Sequence, residues 1–267
     1  MWTRATRPRV SSETALCALS FVILSVLRGL LFRMSIAQNV AEVRRRIATA
    51  ALRAGRDPEE VTLMAVSKTF PPERIREAYD AGLRVFGENR VQEFTGKVAA
   101  LRGLHETEWH LIGHLQSNKA AQAAEAFAAI DSLDSLKLAE KLNATAEKLS
   151  KKLGVLIEIN VGGETAKSGS SPDSDELEEL LLSAPKFGQL EFHGLMTIPP
   201  FTEDAQEARP HFRKLRALRD QIAGRHLPAI RMDVLSMGMS HDFEIAIEEG
   251  STCVRVGTAI FGQRAKL

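Results

Sequence analysis

Cysteine is nearly absent. Cys17 and Cys253 are the only two in 267 residues, too few for a disulfide framework. Aromatic residues make up only 6% of the chain, which suits a helix-rich α/β scaffold better than an all-β one. Neither charge sign dominates: 35 Lys+Arg against 34 Asp+Glu leave a net charge of +1. No global field therefore draws the protein onto nucleic acid or an anionic membrane. The longest apolar stretch, 15–27, falls short of the roughly 20 residues a spanning helix needs. No Gly-rich dinucleotide turn follows a candidate strand. What is present is 44% apolar and 26% charged residues, enough to build a full core, and this excludes disordered and fibrous classes.

The first 33 residues differ from the rest. Arg4, Arg7 and Arg9 precede the apolar stretch, and Arg28 and Arg33 bracket a second short one. The pattern resembles a signal peptide or anchor, but no Ala-x-Ala cleavage site follows. Met34 opens an amphipathic segment of the kind that starts a soluble protein. We therefore read 1–33 as a leader outside the fold, preferring an over-long gene start to a signal anchor or targeting peptide, and 34–267 as one domain.

Along that domain the apolar spacing switches between helical periodicity and short continuous runs, the pattern of helices alternating with buried parallel strands. Helical spacing covers 40–55, 71–82, 91–102, 117–127, 135–153, 174–184, 203–224 and 240–250. Strand-like runs occupy 62–66, 84–86, 109–112, 128–130, 155–160, 191–196, 232–235 and 253–256. The count and length predict a single (β/α)8 TIM-type barrel with an extra helix before the first strand. A doubly wound sheet is the competitor, disfavoured because nothing in the chain reads as a linker.

Chemistry in such a barrel belongs at the C-terminal ends of the strands. Lys68 follows the first strand and shares strand parity with Met64 and Val66, so it faces the barrel axis if Val66 does. Burial favours the neutral amine, which forms an imine with an aldehyde. The plainer alternative is a lysine reaching out to solvent. After the seventh strand comes Ser236-Met237-Gly238-Met239-Ser240-His241-Asp242, and at the end of the eighth Arg255-Val256-Gly257-Thr258-Ala259. Backbone N–H groups at Gly257 and Thr258, their hydroxyl neighbours and a helix start after Ser240 can surround a phosphate dianion. Taken singly, Ser240 is equally a helix cap and Gly257 a turn.

A lysine for an aldehyde and a cradle for a phosphate suggest pyridoxal 5′-phosphate, and several segments carry a specific likeness. They include Ala65-Val66-Ser67-Lys68, Phe86-Gly87-Glu88-Asn89-Arg90-Val91-Gln92-Glu93, residues 109–119, 159–169 and 193–196, and the two loops just quoted. In these the chain resembles the pyridoxal phosphate homeostasis protein family, whose barrel is similar to the alanine racemase N-terminal domain. Gly162-Gly163 and Ala166-Lys167 depart from the commoner Ser-Gly and Ser-Lys wording. The resemblance implies an aldimine on Lys68, a phosphate held by Ser240, Gly257 and Thr258, and Arg255 facing the pyridine nitrogen. Asn89, His110 and Asn160 are expected as ring or wall contacts. Arg255 keeps its proton, so the pyridine nitrogen stays unprotonated and the ring is a weak electron sink.

The expected role is a cytoplasmic cofactor-holding protein in pyridoxal phosphate homeostasis that supplies apo-enzymes, without catalytic residues of its own. An alanine-racemase-type enzyme is the alternative, and a Schiff-base aldolase ranks third. A two-base racemase needs a second acid/base, yet the only tyrosine, Tyr79, falls in a helix outside the barrel. No nucleic acid, metal or membrane partner is expected for 34–267, and a monomer is expected. His110 and His114 lack the setting of a metal pair, because a strand pattern and Gly113 intervene. The segment 162–168 lacks the glycine a P-loop requires. Lys141, Lys148, Lys151 and Lys152 read as a solvated helix face, and Cys253 as a buried small hydrophobe sharing parity with Arg255.

Overall fold

The computed structural model describes residues 34–163 and 168–263. The expected leader, the centre of the 159–169 segment and the last residues lie outside these. Contacts divide the chain between Ser35 and Ile36, and the fold below is that of the second unit.

Eight parallel strands close into a barrel in chain order, β8 pairing back onto β1. They are β1 (Thr62–Val66), β2 (Val85–Glu88), β3 (Glu108–Leu111), β4 (Ala129–Leu133), β5 (Leu153–Glu158), β6 (Leu190–Met196), β7 (Ile230–Met239) and β8 (Cys253–Val256). Around them run α1 (Ile36–Arg53), α2 (Pro72–Asp80), α3 (Val91–Lys97), α4 (Ala120–Ala126), α5 (Leu136–Lys148), α6 (Asp175–Ser183), α7 (Arg209–Gly224), α8 (Phe243–Glu248) and α9 (Thr258–Phe261). The architecture is thus the (β/α)8 barrel with a leading helix that the periodicity predicts.

Strand alternation sorts the core into two layers. Ala65, Phe86, Leu111, Ile130, Val155, Leu195, Leu235 and Val254 face outward under the helices, while Met64, Val66, Ile112 and Cys253 meet inside. In the outer layer Trp109 stacks on Phe86 with ring centroids 4.9 Å apart, and Phe94 of α3 lies 4.7 Å from both Trp109 and Phe127. Each buried ring contributes on the order of 2 kcal/mol, so this stack seats α3 firmly against β2 and β3. The apolar stripe Ile36, Val40, Val43, Ile47 and Ala50 buries α1 against α2, α8 and α9. Asn39 also donates to the Ile260 carbonyl at 2.7 Å, so the extra helix buttresses the turn after β8.

Three departures from the periodicity have local causes. The run 232–235 extends to the ten residues of β7, Ile230–Met239, and α8 starts at Phe243 with Asp242 as its cap. The loop expected at 236–239 is therefore strand. Gly238 permits this with φ +93°; a Cβ there would stand 2.5 Å from that of Ala246. The helix expected to 153 stops at Lys148 because Ser150 turns left-handed at φ 51°. Lys151 accordingly leaves the solvated face: its ammonium donates to the carbonyls of Ala124 (2.8 Å) and Phe127 (2.5 Å), and burial lowers its pKa. The helix Thr258–Phe261 is a single turn too short to leave a periodic signal.

Candidate functional site

β1 and β8 are far apart in the chain but adjacent in the closed barrel, with Met64 paired to Arg255 and Ala65 to Val256. That seam brings the lysine and the cradle together. A side chain added at Gly257 would lie 3.4 Å from the Val66 carbonyl oxygen, two residues before Lys68. Lys68 is half-buried at the end of β1, and its Nζ stands 3.4 Å from Asn89 Oδ1 on the neighbouring β2 side. Asn89 is held from behind by Gly113, where any Cβ would come within 2.3 Å of the Asn89 carbonyl oxygen.

The polar groups around Ser240 are arranged differently from the expectation. Ser240 is not a helix cap; its Oγ accepts from the backbone N–H groups of Gly257 (3.2 Å) and Ala259 (3.3 Å). Two backbone donors and a hydroxyl thus converge beside the β1–β8 seam, with Thr258 exposed between them. The donor set suits a phosphate dianion, which needs several N–H and O–H groups and little side-chain charge.

Arg255 is buried and reaches along the wall from β8 to β7 and the end of β6, donating to Ser236 Oγ and the Thr197 carbonyl, both at 2.7 Å. Burial lowers its pKa, while Asp131, Asp242 and Glu158 act in the opposite direction. Glu158, at the end of β5, escapes the sequence reading. Its Oε1 accepts from Ser168 Oγ at 2.9 Å, its Oε2 is buried without a partner, and burial raises its pKa. A lone acidic residue closing an apolar strand is the signal that could have flagged it. Among the described residues Asp131 Oδ2 is likewise buried without a partner, so orphaned oxygens mark polar positions along the interior rather than one mouth. Lysine amine, guanidinium and backbone donors fit pyridoxal phosphate.

The other two expected contacts lie at different ends of the barrel. Asn160 sits after β5, across the barrel from β1, where its Oδ1 accepts from Gly163 N at 3.0 Å. His110 faces the interior but lines a cavity of about 540 Å³ at the opposite, N-terminal mouth. Its Nδ1 is 2.9 Å from Asp131 Oδ1. Burial opposes its charge, yet Asp131 and Glu108 outweigh burial and raise its pKa to about 10. The reason is register: His110 pairs with Gly87 and Ala129 in mid-sheet, short of the strand end. His114, by contrast, pairs with Asp134 at 3.2 Å, so the two histidines serve separate carboxylates. Cys253 also lines the N-terminal cavity, and burial pushes its thiol up to about 12.

Fold and site together define a barrel of the alanine racemase N-terminal type, and residues 35–265 match the family model described as alanine racemase, N-terminal domain. The pyridoxal phosphate homeostasis protein of Aquifex aeolicus (strain VF5) is 48% identical over 232 residues, 86% of this chain and 99% of the relative. The protein of the same name from Escherichia coli (strain K12) is 46% identical over 232 residues, 86% of this chain and 97% of the relative. The chain belongs to the pyridoxal phosphate homeostasis protein family. Among solved structures, PipY of Synechococcus elongatus PCC7942 with PLP bound is 39% identical, covers 85% of this chain and 100% of that one, and superposes with a TM-score of 0.74.

Proposed function

We propose that this chain binds pyridoxal 5′-phosphate at the C-terminal mouth through Lys68 and the Ser240–Gly257–Ala259 cradle, and serves in intracellular homeostasis of the cofactor and its supply to apo-enzymes. The adjacency of Lys68 and the cradle across the β1–β8 seam carries the reading. When bound, the cofactor supplies an aldehyde that condenses with a neutral amine, forming a C=N bond and releasing one water.

Around that bond each residue has a separate task. Gly257, Thr258 and Ser240 orient the phosphate with backbone and hydroxyl donors. Asn89 holds the lysine amine in place. Arg255 is our choice for the ring nitrogen; a guanidinium there leaves that nitrogen unprotonated and disfavours carbanion chemistry. Asn160 contributes as a rim residue. His110 stands apart in this scheme as a structural partner of Asp131.

We read the protein as a holder of cofactor rather than an enzyme, working as a monomer in the cytoplasm. Among the described residues no helix is long and apolar enough to cross a membrane. The only tyrosine, Tyr79, lies outside the barrel, with Arg84 stacked 4.0 Å over its ring, so it cannot serve as a base opposite Lys68.

The test is direct. Protein loaded with pyridoxal phosphate should show a visible absorption band that borohydride removes while fixing the label on Lys68, and Lys68→Ala should lose both band and label. The loaded protein should restore activity to a cofactor-dependent apo-enzyme. Retention of the label on another lysine would overturn the site, and alanine racemisation at about 1 s⁻¹ or faster, ordinary for enzymes, would overturn the non-enzymatic role.

A further inference from the structure

The segment Phe86 to Glu93 gives the site only Asn89. The acids on either side of it point away from the mouth, into the space between β1, β2 and α3. Glu88 is fully buried there, and its Oε1 accepts from Ser67 Oγ at 2.7 Å. Lys97, at the end of α3, places its ammonium 3.2 Å from the same oxygen and 2.6 Å from Glu93 Oε1, and donates to the Ser67 carbonyl at 3.3 Å. Glu93 Oε1 also accepts the backbone N–H of Thr69.

Three of these contacts end on a neighbour of Lys68, and the other two tie Lys97 to the acids that make them. Ser67 is gripped through both hydroxyl and carbonyl, and Thr69 through its N–H, while Lys68 itself faces the mouth and Asn89. The grip has something to hold. Thr69 lies at φ 67°, in the left-handed region that β-branched residues rarely adopt, and such a conformation persists only where its surroundings impose it. If Thr69 relaxed to negative φ, the turn would change course directly after Lys68 and redirect its side chain. The i,i+4 spacing of Glu93 and Lys97 puts both on one face of α3, and the aromatic stack of Phe94 fixes that helix against the sheet.

We propose that Lys97, with Glu88 and Glu93, is a positioning device for Lys68: an ammonium shared by two carboxylates that clamps the backbone on both sides of the lysine and presents its amine to a carbonyl-bearing ligand. The inference rests on Lys68 being the cofactor lysine. It assigns these three residues no contact with the ligand, so their effect should be confined to ligands that bond to the amine.

The experiment compares pyridoxal 5′-phosphate with 4-deoxypyridoxine 5′-phosphate, which has a methyl group in place of the aldehyde and so reports ring and phosphate binding alone. Both affinities are measured by calorimetry in the wild-type protein, Lys68→Ala, Lys97→Met, Lys97→Arg and Glu93→Gln. The wild-type ratio of the two affinities should fall about tenfold in Lys97→Met, while the analogue's affinity stays within about twofold, and Lys97→Arg should recover most of the ratio. Glu93→Gln, at a less buried position, should lower the ratio about threefold and keeps the question answerable if Lys97→Met does not fold. A ratio unchanged in both Lys97→Met and Glu93→Gln, or equal losses for the two ligands, would overturn the clamp. A wild-type protein that does not distinguish the ligands, or a Lys68→Ala variant that still does, would instead remove the reading of Lys68 on which the clamp depends.

Discussion

The two mouths of the barrel both contain buried ionisable groups, yet they suit opposite ligands. At the N-terminal mouth the cavity of about 540 Å³ is walled by Glu60, Glu108, Asp131, Glu191 and Asp233, against Lys152, His110 and His193. At the C-terminal mouth stand Lys68, Arg255 and the backbone donors of Gly257 and Ala259, with Glu158 as a buried carboxylate on the same end. A phosphate dianion moved into the first would meet carboxylates on most sides, and in a partly desolvated cleft that repulsion is large. The comparison teaches that the sign and direction of the polar groups, rather than the size of the hollow, favour the C-terminal mouth for the proposed anion. It also explains the buried ion pair at the N-terminal end: His110 and Asp131 fill polar positions inside the sheet and stabilise each other, as that face of a barrel generally serves stability.

The strongest challenge to this contrast is His110→Phe. It leaves Asp131 buried without its partner, and we expect a loss of about 3 kcal/mol of stability, read by denaturant unfolding, with cofactor affinity at neutral pH little changed. Its pH dependence has a definite sign. The folded pKa of about 10 lies above the ordinary 6.5, so the histidine's stabilisation is complete below about pH 6.5 and is lost as pH rises through 10. The gap between wild type and variant should close over that range. A gap that widens with pH would mean that the pair is neutral.

Next in size is Ser240→Ala. Removing the hydroxyl at the cradle should weaken pyridoxal 5′-phosphate by about 1.5 kcal/mol, roughly tenfold, measured by equilibrium titration. Pyridoxal without its phosphate should bind the two proteins equally, and an equal loss for both aldehydes would dissolve the cradle.

The smallest effect sharpens the contrast from the other side. Glu191→Ala opens the N-terminal cavity further and removes a carboxylate half-exposed at its rim, with Oε2 3.6 Å from His193. Cofactor affinity should stay within about twofold and stability within about 0.5 kcal/mol, the usual range for surface positions. A tenfold gain in affinity would mean that the anion enters at the N-terminal mouth after all.

Much of this was already legible in the chain. The alternation of Met64, Val66 and Lys68 and the spacing of eight apolar runs are local properties, set by how side chains project from a strand or helix, so the barrel and the place of Lys68 at the end of its first strand could be read from the chain alone. Ser240, Gly257 and Thr258 were visible as residue types suited to an anion. Their arrangement was not. Which N–H groups reach Ser240 depends on β7 running through Met239 and on a one-turn helix after β8, and neither leaves a periodic trace. His110 carries the composition of a site residue, yet its depth is a matter of register between β2, β3 and β4, which no single strand encodes. The grip of Lys97, Glu88 and Glu93 on the Lys68 turn likewise exists only where α3 lies against β1 and β2. Closure of the barrel brought Lys68 beside the Gly257 turn, because it places the first strand beside the last and turns distance along the chain into contact across a seam.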